Sequence, residues 1–114
     1  EKGIEEAINF FQTYHQSSEN RIHVYFGPHA PYTCNIPYLL KISNIAKSLK
    51  TGIHIHLNET ESEVINFEKE HKLKPIEALD RDGFFCTPMI CAHCVHVSPE
   101  EIKILKKNNV LIAH

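Results

Sequence analysis

The sequence has 114 residues, of which 42% are hydrophobic and 23% are charged, a composition typical of one globular domain. The formal net charge is -2 and the 12 basic residues are scattered, so the chain lacks the basic face that nucleic acid or an anionic membrane would require. No apolar run approaches the roughly 20 residues of a membrane span and no secretory signal is visible, so we expect a cytoplasmic protein with reduced cysteines.

The first predicted elements are a helix over residues 3 to about 15 and a strand over residues 22–26. The helix follows from apolar residues at helical spacing, and the strand follows from the alternation of apolar and polar residues. A loop comes next, Gly27-Pro28-His29-Ala30-Pro31, which is stiff because proline fixes its backbone angle. His29 is therefore expected just beyond the carboxyl end of the strand.

The next predicted units are a helix capped by Asn35 and a strand that begins at Ile53. Alternation over residues 53–57 gives this strand one apolar face, whereas the other face carries His54 and His56. Two imidazoles on one face of a strand are characteristic either of a functional site or of interior histidines that are hydrogen-bonded.

Glu59 lies in the loop that follows this strand, because Thr60 and Glu63 match a capping box at the start of the next helix. A neutral histidine is a common metal ligand, and a nearby carboxylate can carry protons. His56 is therefore a candidate metal ligand and Glu59 a candidate general acid/base. These residues alone leave open the alternative of an interior histidine beside a solvated acidic loop.

The rest of the chain is predicted to alternate helix and strand. The predicted elements are helices over residues 61–72, 75–80 and 99–107, and strands over residues 89–94 and 110–113. Ser98 and Glu101 match a capping box, with proline at the first helical position, and mark the clearest helix start. His93 is the polar exception in a strand whose apolar character is typical of burial on both faces.

This order predicts an α/β fold with parallel strands joined by crossovers. We expect residues 1–114 to be a single segment of a TIM (β/α)8 barrel, covering about strands 4 to 7, since the chain starts in a helix and ends on a strand. The candidate residues also fall at strand carboxyl ends, where barrel active sites lie. A self-contained four-stranded interaction domain without chemistry is the alternative.

Three strand-end motifs carry a family resemblance. They are Gly27-Pro28-His29-Ala30-Pro31-Tyr32-Thr33-Cys34, Ile55-His56-Leu57-Asn58-Glu59-Thr60 and Ala92-His93-Cys94-Val95-His96. In this order they resemble motifs of the amidohydrolase superfamily, above all those of the 5-methylthioadenosine/S-adenosylhomocysteine deaminases and the related triazine hydrolases. The resemblance implies that His56 binds a single metal and that Glu59 carries protons and contacts substrate. It also implies that His93 orients or polarises the metal-bound water and that His29 contacts the substrate ring.

The activity implied by this resemblance is removal of an amino group from a purine-type ring, as in deamination of S-adenosylhomocysteine or 5-methylthioadenosine. Metal coordination lowers the pKa of water from about 15.7 to about 7, so a metal-bound hydroxide can attack the ring carbon at neutral pH. The expected cofactor is one divalent metal, zinc with iron as the alternative, and the expected partner is a small aminated heterocycle. Triazine-type or other hydrolysis of C–N bonds is the alternative.

Two ligand motifs of the family are missing from this sequence, a His-x-His pair on the first barrel strand and an aspartate on the eighth. His54-Ile55-His56 has the His-x-His pattern, but it belongs to the strand that the resemblance matches to the fifth barrel strand. We therefore expect this piece to be inactive by itself and to self-associate through unpaired strand edges.

A rival interpretation is a non-enzymatic zinc-binding α/β module built on cysteines. Cys86, Cys91 and Cys94, with His96 nearby, have spacings that a structural zinc site can use. Against it, Cys91 and Cys94 fall in one strand and are expected to point to opposite faces.

Overall fold

The computed structural model describes residues 2–17, 21 and 23–114, in which one or two helices precede each of three parallel strands. In chain order the elements are α1 (Lys2–Tyr14), α2 (Ile36–Ser48), β1 (Ile53–Leu57), α3 (Glu61–His71), α4 (Pro75–Arg81), β2 (Met89–His93), α5 (Pro99–Lys107) and β3 (Leu111–Ala113). The strands pair in the order β1-β2-β3 and all are parallel, which confirms the predicted α/β class. None of the helices in these residues is both long enough and apolar enough to cross a membrane.

Side-chain caps begin the helices that the sequence predicted. The side chain of Asn35 accepts a hydrogen bond from the N–H of the third residue of α2, and Ser98 and Glu101 form both bonds of a capping box at α5. Each cap satisfies an N–H group that has no partner within the helix, which stabilises the helix by about 1 kcal/mol. At α3 only half of the predicted box forms, because Thr60 accepts from the N–H of Glu63 but the Glu63 carboxylate bonds elsewhere.

The sheet is covered by helices on one face. Ile53, Ile55 and Leu57 of β1 are fully buried, and Met89 and Cys91 of β2 lie beside the first two of them in register. The helical residues that share this core are Leu39, Ile42, Ala46, Ile76, Leu79 and Leu105. Because burying one such side chain contributes about 1.5–3 kcal/mol, this packing fixes which face of β1 turns inward. The opposite face, which carries the two histidines of β1, is left accessible.

The first predicted strand is much shorter than expected. Ile22 lies outside the described residues. Among residues 23–26, Phe26 alone makes a strand-type pairing, a single parallel bridge to β1. The next hydrogen bond between these two segments would need an N–H group at residue 28, but Pro28 has none, so the pairing is interrupted. Pairing resumes where the carbonyl of His29 accepts from the N–H of His56 at 2.9 Å. The interruption leaves a loop, but the loop stays attached to β1.

Gly52, just before β1, has no room for a side chain. A Cβ atom at this position would lie 2.5 Å from the carbonyl oxygen of Pro88 and 2.6 Å from the ring of Tyr25. We expect Gly52→Ala to lower the free energy of unfolding by about 1–3 kcal/mol, the usual cost of overpacking, measured by urea denaturation. Gly3→Ala is the control, because an added Cβ there meets nothing within 4 Å and favours helix α1. Equal stabilities of the two variants would contradict this packing.

Candidate active site

The candidate residues meet at the carboxyl ends of neighbouring parallel strands. The rings of His29 and His56 lie 5.1 Å apart between centroids, and those of His56 and His93 lie 5.3 Å apart. Glu59 places Oε1 3.6 Å from Nε2 of His93, slightly beyond hydrogen-bond distance. The structure thus gathers all four residues that the sequence singled out.

His56 is oriented by a hydrogen bond from its ring to the backbone. Its Nδ1 atom lies 3.0 Å from the carbonyl oxygen of His29. Because a carbonyl oxygen can only accept, Nδ1 carries the ring proton and the lone pair of Nε2 is free. Metal-binding histidines are commonly held in this way, with one nitrogen on the metal and the other donating to a carbonyl. The side chain is therefore suited to ligate a divalent ion.

The other donors that a metal would require are not present in the same arrangement. A catalytic zinc ion takes about three protein ligands and keeps one position open. Within the described part of the chain, no three histidine, cysteine, aspartate or glutamate side chains form a group that could hold a metal ion. The residues present therefore fit one ligand position, that of His56.

His93 reaches the site because its backbone has a positive φ at the end of β2. In the strand register it lies opposite Leu57, whose side chain belongs to the buried face. Its φ is 77°, which is rare for a residue with a side chain, and its ring stacks on His56 of the other face. This strain costs about 1–3 kcal/mol and is offset by bonds such as that from the N–H of Cys94 to the Leu57 carbonyl, 2.8 Å.

The same turn contradicts the prediction for two of the cysteines. Cys91 and Cys94 do not point to opposite faces, because φ is positive at both His93 and Cys94 and the chain folds back. A hydrogen bond to Cys94, together with burial, raises the pKa of the Cys91 thiol, and the same bond lowers the pKa of Cys94. Cys86 lies apart, with its sulfur 2.9 Å from the hydroxyl of Ser43. The described residues therefore do not bring these cysteines together as a three-cysteine zinc site.

His29 is exposed and is held by its own loop. The hydroxyl of Thr33 donates to the carbonyl of Ala30 at 3.2 Å, so its oxygen accepts from Nδ1–H of His29 at 2.9 Å. The Nε2 atom of His29 is left as a free acceptor. The ring of Tyr32 lies edge-on to this imidazole, with 5.5 Å between centroids. Together these groups offer an aromatic surface and a hydrogen-bond acceptor to a planar ligand.

A cleft of about 760 Å³ opens beside Glu59, between the loop of His29 and helix α3. Its lining includes Tyr32, Cys34, Asn66 and Phe67. This volume is within the range of pockets that hold nucleoside-sized ligands. The cleft was not predicted, because it is formed by segments about 30 residues apart whose packing leaves no local pattern.

The sequence is similar to known proteins along its whole length. The sequence matches the Amidohydrolase family over residues 2–114. The 5-methylthioadenosine/S-adenosylhomocysteine deaminase of Desulforudis audaxviator is 40% identical over 114 residues, which are 100% of this chain and 26% of that protein. The deaminase of the same name from Thermoanaerobacter pseudethanolicus is 43% identical over 107 residues, 94% of this chain and 25% of that protein. The chain thus spans about a quarter of the length of the curated relatives it matches.

Solved structures show the same relationship. An adenosine deaminase from Xanthomonas campestris with bound zinc aligns with a TM-score of 0.86 and 26% identity, covering 97% of this chain and 25% of that one. A guanine deaminase from C. acetobutylicum with guanine in its active site aligns with a TM-score of 0.76 and 26% identity, covering 97% and 27%. The predicted resemblance to deaminases of this type is confirmed.

Proposed function

The chain belongs to the amidohydrolase family, and from this we infer that it forms part of the catalytic barrel of a metal-dependent deaminase. The proposed reaction is hydrolytic removal of an amino group from a purine, as in S-adenosylhomocysteine or 5-methylthioadenosine. The observation that carries the proposal is the meeting of His56, Glu59 and His93 at the carboxyl ends of β1 and β2. Enzymes with parallel barrels build their active sites at that edge.

In the proposed barrel, the segment that bridges β1 at Phe26 is the fourth strand and β1, β2 and β3 are the fifth to seventh. The parallel order of β1, β2 and β3, with helices covering one face, supports this placement. The accessible face, with His54 and His56, then corresponds to the barrel interior. The similarity to adenosine and guanine deaminases supports an aminopurine as the substrate class.

In this proposal Nε2 of His56 holds one divalent metal, and the remaining ligands come from outside the chain. A neutral imidazole suits both zinc and iron, and the zinc-bound adenosine deaminase favours zinc. The metal, when bound, supplies Lewis acidity that makes water a nucleophile at neutral pH. The carbonyl of His29 keeps the His56 ring in the tautomer that ligation requires.

The other residues bind the ring and move protons. Water replaces the amino group, so one proton of the water must reach the ring nitrogen, where the oxo product keeps it, and the other must pass to the departing ammonia. Glu59 carries these protons, since its Oε1 atom is at the strand end beside His93. His93 orients the attacking water through Nε2, and His29 with Tyr32 contacts the purine. The cleft beside Glu59 accommodates the rest of a nucleoside.

His93→Asn in the full-length protein should lower kcat by about 100-fold, the usual scale for a positioned acid, base or polarising group. Asparagine tolerates the positive φ of this position better than most residues, so the turn should fold normally. Ammonia release and thermal unfolding should be measured together. His54→Asn is the control, because His54 lies on the same face of β1 but farther from its carboxyl end than His56. A folded His93→Asn variant with wild-type kcat would show that this histidine is structural.

Substrate class is tested by ammonia release from S-adenosylhomocysteine, 5-methylthioadenosine, guanine and an aminotriazine. We expect the full-length protein to turn over the two adenine compounds with the higher kcat/KM. Release from the triazine alone would favour the triazine-type alternative, and no release from any of the four would contradict the proposal.

The isolated 114-residue chain should be inactive and should self-associate. Strand β3 is exposed along its length, with Leu111 65% and Ile112 44% accessible, and Val95 adds another apolar side chain at 53%. Strand edges and apolar surface of this kind favour pairing with a second copy. Light scattering at low micromolar concentration should show a dimer or larger species. A monomer that unfolds cooperatively would contradict this expectation.

A further inference from the structure

The loop that carries Glu59 is held by a second carboxylate, that of Glu63 in the first turn of α3. Glu63 is buried, with only 7% of its surface exposed. Its Oε1 atom accepts from the N–H of Asn58 and its Oε2 atom accepts from the N–H of Glu59, each at 3.2 Å. One side chain therefore fixes two successive peptide groups, at the proposed proton carrier and just before it.

This arrangement is more than a helix cap. In a capping box the Glu63 carboxylate would accept from the N–H of Thr60, the N-cap residue. Thr60 does cap the helix through its hydroxyl, which accepts from the N–H of Glu63 at 3.2 Å. The carboxylate instead reaches back along the chain to the end of β1. Hydrogen bonds to an ionised carboxylate are stronger than neutral ones, and the positive end of the α3 dipole favours the charge.

The Glu63 carboxylate and the two N–H groups that it binds form a clamp, and Asn58 connects this clamp to the loop of His93. It is fully buried, with φ at 51°, and its carbonyl accepts from the N–H groups of Val95 and His96, each at 3.1 Å. Its side-chain amide donates to the carbonyl of His96 at 2.9 Å and to Glu101 at 3.3 Å. The loops that follow β1 and β2 are thus joined at one residue, whose own N–H is bonded to Glu63.

We propose that Glu63 is a positioning residue that sets the carboxylate of Glu59 relative to His93. The inference rests on the proposed function, in which Glu59 carries protons. The left-handed backbone of Asn58 is costly for a residue with a side chain and persists because its surroundings hold it. Without the clamp this turn relaxes and Glu59 leaves its place 3.6 Å from His93. A displacement of about 1 Å in an active site can lower the rate by about 100-fold.

The first test is Glu63→Gln in the full-length protein. Glutamine has the same size but a single acceptor oxygen, so it can satisfy only one of the two N–H groups. We expect kcat to fall by about 10-fold to 100-fold with little change in KM or metal content. Glu61→Gln is the matched control, since it removes an exposed charge from the same helical turn and should leave kcat unchanged. Equal kcat values for the two variants would overturn the proposal.

A double-mutant cycle separates positioning from a general loss of stability. If Glu63 acts through Glu59, adding Glu63→Gln to Glu59→Gln should lower kcat no further. If the two losses multiply, Glu63 acts elsewhere and the proposal is wrong. Ser43→Ala supplies the structural comparison, because it removes a buried hydroxyl that donates to the carbonyl of Phe84. It should lower the melting temperature without lowering kcat.

Amide hydrogen exchange tests the clamp without any assay of activity. The N–H groups of Asn58 and Glu59 should exchange faster in Glu63→Gln than in the wild type or in Glu61→Gln. Unchanged protection would overturn the proposal. If Glu59→Gln keeps full turnover, the proposed proton carrier is wrong and the positioning role falls with it. If Glu59→Gln is impaired but Glu63→Gln is not, only the positioning role is wrong.

Discussion

Replacing His56 with alanine should abolish metal binding by the full-length protein and, with it, deamination. The ring of His56 is held with Nδ1–H on the carbonyl of His29, so its Nε2 lone pair is free to bind a metal. A zinc site has about four ligands in a preformed geometry, and the loss of one weakens binding severely. Metal content by mass spectrometry and ammonia release should both fall to background.

His54→Ala is the matched control for this experiment. His54 lies on the same face of β1, with its ring 6.1 Å from that of His56, and it is farther from the carboxyl end of the strand. The control variant should keep its metal and its turnover. A His56→Ala protein with a full equivalent of metal would show that the ion is bound elsewhere.

The second large effect is expected for Glu59→Gln, which should keep the metal but lose about 100-fold to 10,000-fold in kcat, the contribution of general acid/base catalysis. Glutamine preserves the shape and the hydrogen-bonding reach of the side chain but cannot take up the proton. KM should change little, because glutamine keeps the size of the Glu59 side chain and the proposed contacts of His29 and Tyr32 with the substrate ring are untouched. Wild-type turnover by a variant with full metal content would exclude Glu59 as the proton carrier.

Much of the fold follows from short patterns whose physical basis is local. Alternation over residues 53–57 correctly predicts which side chains of β1 are buried, since a strand has a period of two. The caps at Asn35 and Ser98 correctly predict helix starts, because they satisfy N–H groups within a few residues. Of the described residues of the strand predicted over residues 22–26, Phe26 alone pairs with β1, and the pairing stops there because the next hydrogen bond needs an N–H that Pro28 lacks.

The site required information that periodicity does not contain. Alternation alone would place His93 beside the buried residues of β2, and only the positive φ at its own position brings the ring to His56. The pattern at Thr60 and Glu63 indicates a helix start, but it does not reveal that the carboxylate bonds to Asn58 and Glu59. The turn at His93 depends on contacts between the β1 and β2 loops, which lie more than 30 residues apart, such as the bond from the N–H of Cys94 to the Leu57 carbonyl.

The most direct test of the central claim is a crystal structure of the full-length protein with a purine product, using anomalous scattering at the zinc edge. We expect a zinc peak about 2.0–2.1 Å from Nε2 of His56, the usual zinc–nitrogen distance, with the purine against Glu59 and His29. A zinc peak at Cys86, Cys91 and Cys94, with none at His56, would contradict the proposed site and support a structural zinc module.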